Sequence, residues 1–302
     1  LGAATITADL TDIVDPLLYR DHEAVLAQRR WMVSRTVIYG LLTLVAMVYV
    51  VPMLLVVVNS FRSYPEIARN GVIAVPQSFS LQGWDDAWNA FCVSGTCQGI
   101  KANFFNSLRI TIPPTIVATL FGALNGYILS QWKFRGANLV FGAMLLGVFM
   151  PPQLSLLPWA WVMGKLHLAD SVYGLILIHS VQGISFSTLL CRNFYAGIPS
   201  DLVKAAHIDG AGFWRIFFKI MLPLSPPILI VTVIWEFTSV WNEFLYGVVF
   251  TSGREQPVTA ALLSVGGGGQ SAAVLIAALP PMLIYLLGGR YFVRGLTQGA
   301  VK

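Results

Sequence analysis

The sequence predicts an all-α integral membrane protein, a bundle of six transmembrane helices. Three observations carry that reading. Of 302 residues, 56% are hydrophobic and only 11% are charged, too apolar a mixture for an ordinary soluble domain. The apolar residues gather in runs at about 36–59, 106–130, 137–162, 172–190, 223–247 and 272–293. Each is near the ~20 residues that a helix needs to cross a ~30 Å hydrocarbon core. The basic residues are unevenly placed. Of 19 Lys and Arg, all but Arg62, Arg69, Lys101, Arg109, Lys165 and Arg254 fall on one side of these runs. The positive-inside rule makes that side cytoplasmic, and both termini lie there with it. Lipid offers backbone groups no partner, so each span must be helical, and continuous rather than alternating runs disfavour a β-barrel. The formal charge of +5 follows from this topology and gives no reason to invoke nucleic acid.

Residues 1–35 read as a cytoplasmic segment, too charged and too long before the first span for a cleaved signal peptide. Leu17 to Trp31 suits a surface helix. Residues 36–293 form the transmembrane domain, with outside loops at 60–105, 163–171 and 248–271, a cytoplasmic loop at 191–222, and a basic cytoplasmic tail at 294–302. In the first outside loop Cys92 and Cys97 lie close in sequence. An oxidising compartment permits a disulfide there; two free thiols are the other reading, and a metal site is disfavoured because no His or second Cys pair is near. Cys191, at an inner span end, reads as a packing residue.

The second span carries Pro113-Pro114, which predicts a kink. Gly122, Ala123 and Gly126 in the same span offer close helix–helix contact. Pro151, Pro152 and Pro158 interrupt the third span. The stretch Met150 to Trp161, with Gln153 and Trp159, reads either as facing a cavity or as a kink for packing. The fourth span is short, with Gln182 near its middle. In the fifth, Glu236 and Glu243 are seven apart and so share a face, with Trp235, Ser239, Asn242 and Tyr246 on or near it. Acidic residues in a span face a bundle interior or a wet pathway. Aromatic rings beside hydrogen-bonding groups suit a sugar; the plainer reading has Glu243 meeting outside water and Glu236 paired within the bundle. Four glycines, Gly266 to Gly269, make the last outside loop flexible.

The stretch from Lys204 to Pro227 is a polar, charged interruption between apolar spans, and its charges place it outside the bilayer. Pro199-Ser200 predicts a helix start and Gly210 a stop. The short helix between them carries Lys204, Ala205, Ala206 and Asp209, and the paired alanines leave a small surface open to close approach. A second short helix is expected around Phe213 to Met221. An ordinary amphipathic helix on the membrane surface is the alternative.

Ala205, Ala206, Asp209, Gly210, Ala211, Leu222, Pro223, Leu224 and Pro227 stand at the spacing of the EAA loop of ABC-importer permeases, which the chain resembles from about Tyr39 to its end. Lys204 departs from the leading Glu of that pattern. The stretches at 241–250 and 290–302 look most like carbohydrate permeases of the maltose-type second-permease family, and those at 123–136 and 202–213 like glucose or glucose/mannose permeases, a subgroup that also carries Lys at this position. The resemblance implies the type I ABC importer permease fold, with a cytoplasmic coupling helix at Lys204, Ala205, Ala206, Asp209, Gly210 and Ala211. It implies a prokaryotic plasma (inner) membrane and a heterodimer with a second permease subunit. Two ATPase subunits that bind ATP and Mg, and an external sugar-binding protein, would complete the importer. A monosaccharide such as glucose or mannose is the expected substrate, a disaccharide or another sugar the alternative. Gln256-Pro257-Val258-Thr259 matches the start of the family's outside loop toward the binding protein, and the basic tail would touch the ATPases.

No phosphate-cradling Gly-rich loop, metal-ligand cluster or Ser–His–Asp arrangement is recognisable, so the chain is expected to be no enzyme and to hold no cofactor of its own. His22, His167, His179 and His207 are scattered and read as structural or surface residues. The rival function is an ion-coupled secondary transporter using Glu236 and Glu243, but such folds show internal repeats and none is visible here.

Overall fold

The computed structural model describes residues 8–298 apart from 94, 133 and 266–269, with side chains over 31–289. The Gly266–Gly269 run, Lys133, Lys302 and the side chains of the first 30 residues therefore lie outside the described residues. The chain divides into two units, Leu1–Val56 and Val57–Lys302. In the first, helix α1 (Ala8–Ser60) contains the span Trp31–Ser60, and its residues from 31 to 54 are all exposed. None of the residues of that unit whose side chains are described is buried.

The second unit opens with α2 (Tyr64–Asn70), α3 (Gln82–Asp85), a π-turn and a two-stranded hairpin, β1 (Cys92–Val93) and β2 (Thr96–Cys97), closed by a Cys92–Cys97 disulfide. Long helices follow: α4 (Lys101–Gln131), α5 (Ala137–Phe149), α6 (Pro152–Leu166) and α7 (Val172–Ala196). Pro113 and Pro114, expected to kink the second span, stay inside the unbroken α4. The third span is not one rod. A break at Met150 and Pro151 bends α5 and α6 apart by 105°, because neither proline can donate to the ladder and Met150, preceding a proline, is held extended.

The segment after α7 then forms α8 (Ser200–Ile208), α9 (Phe213–Ile216), a π-turn and α10 (Leu222–Leu224). The run Phe213–Leu224 meets α11 (Pro226–Asn242) at 76°. At 17 residues, α11 is only about 25 Å long, and the expected fifth span continues past Glu243 through α12 (Leu245–Phe250). The chain ends with α13 (Val258–Ala261) and α14 (Gln270–Gln298). Among the described residues, four helices are long and apolar enough to cross a membrane, or up to six spans if each bent pair counts as one.

Helices α4 and α7 form the central pair, and small residues explain how close they come. On α4, Ala118, Gly122 and Gly126 repeat every four residues; on α7, Gly183, Ser187 and Cys191 do the same. A Cβ at Gly122 would sit 2.8 Å from the Ser187 backbone, and one at Gly126 2.7 Å from the Arg192 backbone. Real Cβ atoms do not approach so near, so these two glycines are what permits the contact. Ala123 lies on another face of α4, in the inner apolar cluster with Tyr127, Cys191 and Tyr195.

The two ends of this unit hold different loops. At one end Asn103 donates to the carbonyls of Gly253 and Gln256, Ser107 accepts from the Val258 N–H, and Arg254 reaches Gln98. At the other, Gln131 donates to the Tyr195 carbonyl and the Tyr127 hydroxyl to that of Phe213.

A buried ion pair anchors the loop after α1. Arg62, 1% exposed, donates from Nε to Glu66 Oε1 at 2.8 Å, while Glu66 also accepts from the Ser78 hydroxyl and the Gln77 N–H. Those bonds, with Ser78 first and then Gln77 and Arg62, hold the Glu66 carboxyl at about 2. A depressed carboxyl stabilises the fold above its ordinary value, near 4.5, and that contribution disappears as pH falls through about 2. Pepsin cleavage within 71–79 should therefore rise as pH drops from 4.5 toward 2. Glu66→Gln should be cut readily across the whole window and converge with the wild type at its acid end. Parallel curves for the two proteins would contradict this.

Candidate functional site

Helix α8 is closed at its C-terminus by backbone hydrogen bonds around Gly210, a Schellman closure. The Gly210 N–H donates to the His207 carbonyl at 3.0 Å, the Ala211 N–H reaches back to the Ala206 carbonyl at 2.9 Å, and Gly210 takes a φ of +74°. That conformation suits glycine and few other residues. The sequence Asp209-Gly210-Ala211 is thus a stop signal in which glycine supplies the backbone turn and Ala211 the apolar contact onto Ala206.

The two alanines do not share a surface. Ala206 is 8% exposed and packs inward with Val203, Tyr127 and Ile216, whereas Ala205 faces out. Adjacent helical residues are ~100° apart, so a flat two-alanine knob is geometrically excluded. The outward face instead carries Lys204, Ala205, His207, Asp209 and Ile208, the last 87% exposed. A large aliphatic side chain so exposed on a nine-residue helix was not singled out from the sequence. Lys204 points back along its own helix, its ammonium 2.8 Å from Asp201. The hydrogen bond and charge of Lys204 hold the Asp201 carboxyl below its usual range. Both groups are largely solvated, so the pair contributes little to stability.

This knob sits on a rigid seat. Phe213 packs against Tyr127 (ring centroids 5.0 Å) and Trp132 (5.2 Å), and Trp132 meets His207 edge-on at 6.0 Å. Tyr195 on α7 hydrogen-bonds Ser225 at 2.6 Å, at the start of α11. Packed rings and buried hydroxyls thus join α8 and the segment after it to α4, α7 and α11.

The residues expected to line a pathway do not form one group. Trp235, Ser239 and Asn242, at i, i+4 and i+7 on α11, form an exposed stripe, and Trp235 stacks on Phe186 of α7 at 4.8 Å. Glu236 lies on the neighbouring, buried stripe at 4% exposure, together with Val240. Its carboxyl occupies the space that a Cβ at Gly183 would take, and it makes no hydrogen bond among the described residues. The residues expected on or near one face of the fifth span thus divide: Trp235, Ser239 and Asn242 share the exposed stripe, Glu236 lies on the buried stripe beside it, and Glu243 and Tyr246 fall past the end of α11.

Glu243, Tyr246 and Gln182 do meet, in a polar latch that also takes in Ser155 and His179. The Tyr246 hydroxyl is 2.6 Å from both Ser155 Oγ and Gln182 Nε2. Glu243 caps α12, accepting from the Tyr246 N–H at 2.9 Å, and its carboxylate lies 3.9 Å from His179 Nε2. Sequence reasoning passed over Ser155 and read His179 as a structural or surface residue; the latch draws them from α6 and α7, elements distant in sequence from α12. Gln153 is exposed, and Trp159 packs half-buried into the apolar cluster beside the latch. Among the described residues no group of His, Cys, Asp and Glu is arranged to hold a metal ion.

Comparison with known proteins gives this geometry a family. Over 282 residues the chain is 29% identical to a probable ABC transporter permease protein of Bacillus subtilis, covering 91% of each. It is 31% identical over 268 residues to the arabinooligosaccharides transport system permease protein of Halalkalibacterium halodurans, covering 85% of this chain and 93% of that one. A crystal structure of a bacterial ABC transporter involved in import of the acidic polysaccharide alginate contains a chain of the same fold, with a TM-score of 0.71 at 18% identity over 88% of this chain and 98% of that one. Residues 118–298, which include α8, α7, the C-terminal part of α4 and the latch, match a family described as the binding-protein-dependent transport system inner membrane component, and the chain is a member of that family of membrane-spanning permeases.

Proposed function

We propose that this chain is the permease subunit of an ATP-driven carbohydrate importer, and that α8 is its coupling helix. One observation carries the reading: α8 is closed by a glycine-dependent stop, held rigidly on its inner face, and presents Ala205 and an almost fully exposed Ile208 outward. An apolar side chain in that position fits a pocket on a partner. In the reading, two ATPase subunits bind ATP and Mg and grip α8 from the cytoplasm, where both termini also lie. The loops at 60–105 and 248–271 face the external binding protein. A second permease completes the route against the exposed stripe Trp235, Ser239 and Asn242, whose ring and polar groups suit a sugar's C–H face and hydroxyls. Gln182, Glu243 and Tyr246 act as a structural latch beside that route.

Among the relatives, one is named for arabinooligosaccharides, and a Streptomyces coelicolor relative, 29% identical over 273 residues, is named for diacetylchitobiose uptake. These favour an oligosaccharide over the monosaccharide that the sequence resemblance suggested. The test is ATPase activity of the assembled complex, with its binding protein, over a panel of mono-, di- and oligosaccharides. Stimulation of several-fold by a short oligosaccharide is expected. Uptake that proceeds without ATP but collapses with an ion gradient would overturn the reading.

A further inference from the structure

Beside α8 the surface changes character. The run Phe213–Leu224, bent 76° from α11, carries Trp214 and Phe218 four residues apart, stacked at 5.8 Å and each more than half exposed. With Phe217, Leu120, Phe121 and Leu124 they line an apolar groove of about 220 Å³ between this run and α4. On the adjoining face of the same short run stand Arg215 and Lys219, also four apart and both exposed. Neither makes an ion pair or hydrogen bond among the described residues, and no Asp or Glu occurs between Asp209 and Glu236. An aromatic stripe, an unneutralised basic stripe and a groove of acyl-chain character thus adjoin one another at the end of the bundle that holds α8.

We infer that this is a binding site for an anionic glycerophospholipid, with one acyl chain in the groove beside Phe121 and Trp214 and the headgroup phosphate held by Arg215 and Lys219. The physical case has three parts. A run bent well away from a spanning helix lies nearer the membrane plane, at headgroup depth. Tryptophan favours that depth, with an apolar body and a polar N–H. Basic side chains at a membrane surface attract anionic lipid, each strengthening binding by roughly five-fold. The occupant would bridge α4 to the segment joining α8 and α11, so lipid composition would act on the coupling path. The site lies outside the sugar route and does not depend on which substrate is carried.

The experiment uses the whole importer complex in nanodiscs with a phosphatidylglycerol carrying a photoreactive acyl chain, and in parallel the same probe built on phosphatidylcholine. The phosphatidylglycerol probe should label peptides containing Phe121 or Trp214 about 25-fold more than its zwitterionic counterpart, the product of two basic contacts. Arg215→Gln with Lys219→Gln should bring the two probes level, and Lys219→Arg should not. Equal labelling of the wild type by both probes would overturn the inference. So would capture of Phe121 or Trp214 by a neighbouring protein subunit in place of lipid. Labelling requires no turnover, so its outcome is separate from that of the transport assay.

Discussion

Ile208→Asp is expected to release the ATPase subunits from an otherwise intact permease. The side chain is 87% exposed and supports nothing inside this chain, so the variant should insert and fold as the wild type does. Docked against a partner, the same position is desolvated, and an unpaired carboxylate buried there costs about 3 kcal/mol or more. That is over 100-fold in affinity. Co-purification of the ATPases should fall accordingly, and substrate-stimulated ATP hydrolysis with it, while Ile208→Leu stays close to wild type. Ala206→Asp provides the contrast. That residue faces inward against Tyr127 and Val203, so its variant should lose the fold of the loop and reach the membrane poorly. Full ATPase retention by Ile208→Asp would show that the outward face of α8 is not the docking surface.

What the sequence made legible was set by length and spacing. A 20-residue apolar run has one physical solution in lipid, so the four unbroken spans were readable to within a few residues. Gly122 and Gly126 announced a close contact through their four-residue interval. Gly210 announced the end of α8. The partner stripe on α7 was harder to see, because Gly183, Ser187 and Cys191 gain meaning only once α4 lies beside them. The bend between α5 and α6 was signalled by Pro151 and Pro152, but no local rule sets an angle of 105°. Trp235 was placed on or near the face of Glu236, and the ~100° between helical neighbours is enough to leave one exposed and the other buried. The latch was invisible for a different reason: Ser155, His179 and Tyr246 come from three helices, and nothing in one residue's surroundings indicates the other two.

The close pairing of α4 and α7 leads to the largest destabilisation expected anywhere in the chain. Gly126→Leu should leave almost no assembled protein. A Cβ there meets Cys191 Cβ at 2.6 Å and the backbone nitrogen of Arg192 at 2.7 Å, so the helices must separate. Overpacking of this kind costs about 3 kcal/mol or more, and the damage spreads because α7 also holds Gly183 against Glu236. Removing the thiol with Cys191→Ala should not restore assembly, since alanine keeps the obstructing Cβ and the rest of the obstruction is backbone. Gly183→Ala is the informative comparison. The atoms in its way belong chiefly to the Glu236 carboxyl, the far end of a side chain, so the single variant should be milder. Glu236→Ala should relieve it in the double variant, and Glu236→Gln, equal in size, should not. Size-exclusion profiles of the detergent-solubilised variants would separate these outcomes. Rescue of Gly126→Leu by Cys191→Ala would mean that α4 and α7 are held apart by side chains alone, and relief of Gly183→Ala by Glu236→Gln would mean that charge, not volume, governs the contact at Glu236.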